Sequence, residues 1–133
     1  MADDTRLLLL AHDAAEVPLI SALVHSAVLR ADDVGYDRRA RRLVLLVNRY
    51  RWEARDATRV RAALRLDSVR AVQRKAWPAA GTVLELLALT LDTDTVTLVF
   101  AGGATLRVEV ECPDLVLEDI GAPWPASREP RHD

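Results

Sequence analysis

Residues 96–112 read VTLVFAGGATLRVEVEC, two alternating runs on either side of a glycine pair. Alternation of apolar and polar side chains is the period of a β-strand with one buried face. A two-residue loop at Gly102 and Gly103 would set apolar positions of one strand opposite polar positions of the other, so the connection needs an odd number of residues. We therefore predict a hairpin with a three- or five-residue turn, a positive φ at one glycine or both, and Phe100 paired with Leu106.

Outward from this hairpin, a period of two recurs along most of the chain, and one segment has helical spacing. Further strands are predicted at residues 33–36, 42–52, 58–67, 69–74 and 83–91, and the short apolar runs 5–11 and 115–120 could add two more. Apolar residues three and four apart predict a helix over residues 14–29. Pro18 lies in its first turns and shifts the expected start toward Glu16.

These elements predict an α+β fold. We expect one N-terminal helix packed on a bent antiparallel sheet of about seven strands, which could curl into a half-open barrel. Two smaller sheets that sandwich the helix are the alternative. We expect a single domain over residues 1–121, followed by an irregular tail over residues 122–133, which has three prolines in twelve residues.

Composition places the chain among cytoplasmic proteins. At 133 residues, half of them hydrophobic, it can bury a core without disulfides. The single cysteine, Cys112, lies on the apolar side of the predicted hairpin and is expected to be a buried thiol in a reducing compartment. His12, His25 and His132 lack the spacing of metal ligands. No apolar run approaches the ~20 residues that span a bilayer. We therefore expect no metal, no cofactor and no membrane association.

Basic residues are concentrated in the middle of the chain. Residues 38–75 hold twelve arginines and the one lysine against three acidic residues, a charge of +10, while the remaining 95 residues carry −12. A hairpin of residues 43–52 and 58–67 with Trp52 opposite Thr58 would fill one face with apolar pairs. The same register opposes arginines on the other face, and their repulsion predicts an anion over them. The candidate binding residues are Arg49, Arg51, Arg59, Arg61 and Arg65.

This arginine face has two interpretations. Either it binds an acidic protein or a phosphate-bearing ligand, or acidic side chains of the same chain cover it. The candidate internal partners are Asp32, Asp33, Glu109, Glu111, Asp114, Glu118 and Asp119. For function we favour a small non-enzymatic binding or adaptor protein. The alternatives are a small hydrolase or isomerase that uses the acid pairs Asp32–Asp33 and Glu118–Asp119 in a cleft, and a structural subunit of a homo-oligomer joined through sheet edges.

Several blocks, spread over almost the whole length, carry a resemblance to a known family. They read VNRYRWE at 47–53, LELLA at 84–88, the hairpin block at 98–112, LEDIG at 117–121, Trp124, and PRHD at 130–133. Together they resemble the bacterial family known as domain of unknown function 2948. The resemblance implies a small, stand-alone cytoplasmic protein, and it assigns no reaction, cofactor or catalytic residue.

Overall fold

The computed structural model describes residues 6–127 and residue 130, which form one helix and eleven strands. The helix α1 spans Val17–Val24, and the strands are β1 (Leu8–Ala11), β2 (Ala27–Arg30), β3 (Val34–Asp37), β4 (Arg42–Tyr50), β5 (Thr58–Leu66), β6 (Val69–Lys75), β7 (Val83–Asp92), β8 (Thr95–Phe100), β9 (Thr105–Val110), β10 (Leu115–Asp119) and β11 (Trp124–Pro125). The α+β class is confirmed, whereas the expected number of about seven strands is wrong. β1 and β10 lie in the two short runs that could add strands, whereas β2 and β11 have only four and two residues, too few for a period of two to stand out.

All the strands join one antiparallel sheet, which is open rather than a closed barrel. Its order is β1-β10-β5-β4-β2-β7-β8-β9-β6, with β3 as a further neighbour of β4 and β11 as a further neighbour of β5. In this order β5 is the third strand and β6 is the last, yet only Asp67 and Ser68 connect the two along the chain. So short a connection requires the sheet to curl strongly. The core lies inside the curl, where α1 packs on β7.

The helix has half of its predicted length. It begins at Val17, with Glu16 as the N-cap residue, as the position of Pro18 in the first turn suggested. It ends at Val24 because Ser26 takes a positive φ of 65°, and the next four residues pair with β7 as β2. The apolar residues beyond Ser26 therefore belong to a strand, and the predicted extension of the helix to residue 29 is wrong.

The hairpin of β8 and β9 closes through a three-residue turn. Gly102 and Gly103 have φ values of 87° and 99°, which confirms the positive φ expected there. Leu98 lies opposite Leu106, so apolar residues face each other as the odd-length turn requires. The specific pairing of Phe100 with Leu106 is wrong by two residues, because the shorter of the two possible turns forms and Phe100 N donates to Ala104 O instead.

The hairpin of β4 and β5 has a register one residue away from the expected one. Arg49 lies opposite Val60 rather than Arg61. A slip of one residue exchanges the faces of a strand, so Arg49 lies on the core face and not on the outer face of the sheet. The prediction was wrong because residues 43–47 are apolar at every position, which leaves both faces of β4 equally suited to the core.

Cys112 is exposed, which contradicts the predicted buried thiol. β9 ends at Val110, so the alternation that buries Val108 and Val110 stops before it reaches the cysteine.

Part of the C-terminal tail is ordered against the sheet. Trp124 and Pro125 pair with β5, and Ala126 N donates a hydrogen bond to Ala57 O at 2.8 Å.

Candidate functional site

β2 and β3 follow one another along the same edge of β4 and are separated by a wide bulge. Val28 pairs with Asn48, and Val34 pairs with Leu45. Six positions separate the two valines but only three separate their partners, so the first segment contains three residues that β4 cannot pair. Bulges of this kind bend a strand away from its neighbour and occur often beside functional sites. Here the chain leaves β4 and turns toward β7.

Two aspartates tie the bulge to its surroundings. Asp33 Oδ2 accepts a hydrogen bond from Arg30 N at 3.1 Å, and Asp33 O accepts one from Leu46 N at 3.0 Å. Asp32 Oδ1 accepts a bond from Gly81 N at 2.6 Å, and this bond is the main reason that the pKa of Asp32 lies below its ordinary value. The main-chain N–H groups of Arg30, Leu46 and Gly81 thus fix the position of the bulge.

A cleft of about 340 Å³ opens on the outer face of the sheet beside this bulge, and we call it the bulge cleft. It is lined by Val28, Leu29, Arg30, Asp33, Asn48, Arg61 and Val83. Two guanidiniums and one carboxylate give the lining a net charge of +1. The amide of Asn48 adds hydrogen-bonding groups, and the aliphatic side chains supply apolar walls. The cleft therefore combines positive charge with room for a group of a few atoms.

Among the arginines of the β4–β5 hairpin that have a carboxylate nearby, Arg61 has the longest ion-pair distance. Its Nη2 lies 4.0 Å from Asp33 Oδ1, and its Nη1 donates to Asn48 Oδ1 at 3.3 Å. The corresponding ion pairs of Arg49, Arg51 and Arg65 are 2.7 to 3.1 Å long. A guanidinium has five N–H donors, so Arg61 retains donors for an anion in the cleft.

Arg59 lies two residues before Arg61 on the same face and is also without a close carboxylate. Its Nη1 donates to Asn48 O at 2.9 Å and to Ser26 O at 3.3 Å, and its guanidinium lies 6.0 Å from the centre of the Tyr50 ring. Within residues 6–127, no carboxylate oxygen lies within ion-pair distance of it. Burial lowers the pKa of Arg59, and more distant charges offset this effect only in part. An anion nearby would stabilise this half-buried cation.

Arg49 belongs instead to a buried ion-pair network. Its side chain is 0% exposed, and it donates to both carboxylate oxygens of Asp119, at 2.9 and 3.0 Å, and to both of Glu53, at 2.9 and 2.7 Å. Although burial acts to lower the pKa of Arg49, these bonds raise it above its ordinary value. Asp119 also accepts a bond from Leu7 N at 3.1 Å. The network joins β4, β10, the turn after β4 and the residue that precedes β1, so its role is structural.

The remaining two candidate arginines have carboxylate partners of their own. Arg51 is 3% exposed and donates to Asp56 Oδ2 and Thr58 Oγ1, both at 3.1 Å. Arg65 lies on the outer face and donates to Asp67 Oδ2 at 3.0 Å. The five candidates are therefore divided: Arg49 and Arg51 are buried, while Arg59, Arg61 and Arg65 lie on the outer face, and only Arg61 lines the bulge cleft.

Sequence reasoning missed Arg30, Asn48 and Val83 as parts of the site. They come from three strands, and the bulge between β2 and β3 brings them together. The one signal in the sequence is the polar pair Asp32–Asp33 between two short apolar runs.

The acid pairs do not converge in the cleft. Asp33 lines it, Asp32 is bonded to Gly81, Asp119 is bonded to Arg49, and Glu118 is exposed on β10. In the described part of the chain, no cluster of three or more histidine, cysteine, aspartate or glutamate side chains is arranged to hold a metal ion.

Comparison with known families gives a match that spans nearly the whole chain. The model of the family described as protein of unknown function DUF2948 matches residues 7–132. The chain belongs to this family. No curated protein and no solved structure matches it. Membership in DUF2948 confirms the resemblance seen in the sequence, and the function has to be inferred from the site itself.

None of the helices in the described residues of this DUF2948 protein is both long enough and apolar enough to cross a bilayer.

Proposed function

We propose that this protein is a non-enzymatic binding module that holds an anionic group of its partner, a carboxylate or a phosphate, in the bulge cleft. The observation that carries the proposal is the position of Arg61. It lines the cleft with a long, 4.0 Å contact to its nearest carboxylate, and the rest of its hydrogen-bonding capacity is available to a ligand. Planar guanidinium donors match the oxygens of carboxylates and phosphates in pairs.

The surrounding charges favour the same ligand. Arg30 also lines the cleft, and Arg59, two residues before Arg61 on the same strand, has no close carboxylate among the described residues. The summed field of these three cations attracts an anion toward the cleft, and the carboxylate of Asp33 reduces that attraction.

The apolar walls support a partner larger than a free ion. Val83 is 64% exposed at the rim of the cleft, and Leu87 further along β7 is 36% exposed. Exposed apolar side chains beside a charged group can exclude water from its contact with a protein partner, which strengthens that contact.

The lining favours binding over hydrolysis. Glycoside hydrolysis by carboxyl groups typically uses two of them, which flank the scissile bond. Asp33 is the one carboxylate among the described residues that line the cleft, and its Oδ2 is engaged by Arg30 N. For this reason we infer a holding role for the site.

Titration calorimetry with two small probes, inorganic phosphate and succinate, tests the proposal. The charge-assisted bonds of Arg61 are each worth ~1.5–3 kcal/mol, so Arg61→Gln should weaken binding of the preferred probe by at least about tenfold. Arg65→Gln is the matched control, because Arg65 lies on the same strand and face but is paired with Asp67 outside the cleft. The probe that binds more tightly identifies the anionic group. Equal losses in the two variants, or no binding of either probe, would contradict the assignment to the bulge cleft.

A further inference from the structure

A second cleft lies at the open seam of the curled sheet, on different residues from the bulge cleft. Its volume is about 460 Å³, and it lies between the hairpin of β3 and β4 and the first half of β6. It is lined by Tyr36, Arg38, Arg41, Val69, Arg70, Ala71 and Val72. We call it the seam cleft.

The seam cleft borders a sheet edge that is free to pair. β6 pairs with β9 on one side, and no described strand pairs with its other side. In an antiparallel ladder, the N–H and C=O groups of alternate residues point to opposite sides, so half of those of β6 point toward the cleft. Val69 N is already bonded to Arg41 O at 2.9 Å, which closes one end. The available edge therefore begins just after Val69.

The charge of the seam cleft is positive. Three guanidiniums line it, and no carboxylate does among the residues that the structure describes. Arg41 and Arg70 each have one carboxylate partner outside the cleft, Glu111 and Asp94. Arg38 has no described carboxylate within ion-pair distance. Further along β6, Arg74 and Lys75 are exposed. A segment that pairs with this edge must therefore be acidic to complement it.

We propose that the free edge of β6 binds an extended acidic segment of a partner protein, which adds to the sheet as a further strand. Main-chain bonds to a sheet edge supply affinity, and alternate side chains supply specificity in this type of recognition. On one face, Val72 and Tyr36 are half-buried against the core and offer apolar contacts. Lys75 lies on the opposite face of β6 from Val72. Arg74 shares the face of Val72, but its guanidinium lies over the ring of Trp77. A ligand that alternates apolar and acidic residues can therefore place its apolar side chains against Val72 and Tyr36 and its acidic side chains on the face of Lys75.

Hydrogen exchange and amide-shift titration with the peptide Ac-VEVEVEV-NH2 test this proposal. Its seven residues are enough to span residues 70–75, the part of the β6 edge that follows Val69. We expect slower exchange at alternate amides of β6. We also expect a loss of affinity of roughly five- to tenfold in Arg38→Glu, because a favourable surface charge pair becomes a repulsive one. Arg39→Glu is the matched control, since Arg39 is the next residue of the same exposed turn and does not line the cleft.

Three outcomes would overturn strand addition at β6. They are equal losses in Arg38→Glu and Arg39→Glu, unchanged exchange of the β6 amides at saturating peptide, and equally tight binding of Ac-VVVVEEE-NH2, which has the same charge without the alternation. The result is independent of the bulge cleft: Arg61→Gln should leave affinity for the alternating peptide unchanged, so failure at one site is distinguishable from failure at the other.

Discussion

Removing Asp119 should destabilise the protein strongly. Asp119→Ala deletes the acceptor of two hydrogen bonds from Arg49, at 2.9 and 3.0 Å, and of one from Leu7 N. Breaking a buried ion pair by removing one partner costs ~3–5 kcal/mol. Glu53 keeps its two bonds to Arg49, which places the loss near the lower end, and the stranded Leu7 N–H adds ~1 kcal/mol. We therefore expect a total of about 4 kcal/mol, a large part of the ~5–15 kcal/mol typical of a domain.

Urea unfolding at pH 7 measures this loss. Glu118→Ala is the matched control, because Glu118 is the preceding residue on β10 but is exposed, and it should change the free energy of unfolding by less than ~0.5 kcal/mol. A double variant, Arg49→Met with Asp119→Asn, should recover much of the loss, because it removes the buried cation that has lost one of its two carboxylate partners. A free energy of unfolding for Asp119→Ala within ~1 kcal/mol of the wild type would refute the network as a major source of stability.

Three further outcomes follow from single residues. Burial raises the pKa of Glu53, but the bonds and charge of Arg49 outweigh it and hold the pKa below its ordinary value. The contribution of Glu53 to the free energy of unfolding is therefore complete above the unfolded pKa of about 4.3 and is lost as pH falls through the lower folded value. In urea melts from pH 3 to 7, the stability of Glu53→Gln should consequently fall less steeply toward acid pH than that of the wild type. Identical pH dependence in the two proteins would contradict this. Gly102→Ala places a side chain at φ 87° and should cost ~1–2 kcal/mol in thermal melts, whereas Gly35→Ala, where an added Cβ meets nothing, should cost less; the reverse order would be incompatible with the turn. Val24→Asp buries a charge and should cost several kcal/mol, against little for Leu19→Asp on the exposed side of α1; similar melting temperatures for the two would place the helix differently.

The parts of the fold that depend on local periodicity could be predicted from the sequence. Alternation around Gly102 and Gly103 indicated that the turn between β8 and β9 has an odd number of residues, and Pro18 indicated where α1 begins. The length of α1 could not be predicted, because Val28 continues the helical spacing although it pairs in β2. Short strands whose pairing partners are distant in sequence leave little local pattern.

The positions of the site residues could not be predicted from local sequence patterns. β4 has apolar residues on both faces, so nothing in the sequence shows that Arg49 points into the core. Its partner Asp119 lies 70 positions away, and only the pairing of β10 with β5 brings it close. The bulge cleft exists because β2 and β3 together contain three more residues than the stretch of β4 that they pair with. This difference depends on the register of pairing, which the sequence does not show. Arg61 was identified from charge alone, and its neighbours Arg30 and Asn48 were not.

The most direct test of the anion-binding account is to observe the arginine side chains during titration. In protein labelled with ¹⁵N at arginine, the Nε–H resonances of Arg59, Arg61 and Arg65 report on the three guanidiniums of the outer face separately. The account predicts that added phosphate or succinate shifts the Arg61 resonance along a saturable curve, moves that of Arg59 less, and leaves that of Arg65 in place because Arg65 Nε is bonded to Asp67. Shifts of equal size at all three, or a shift at Arg65 with none at Arg61, would contradict a ligand site in the bulge cleft.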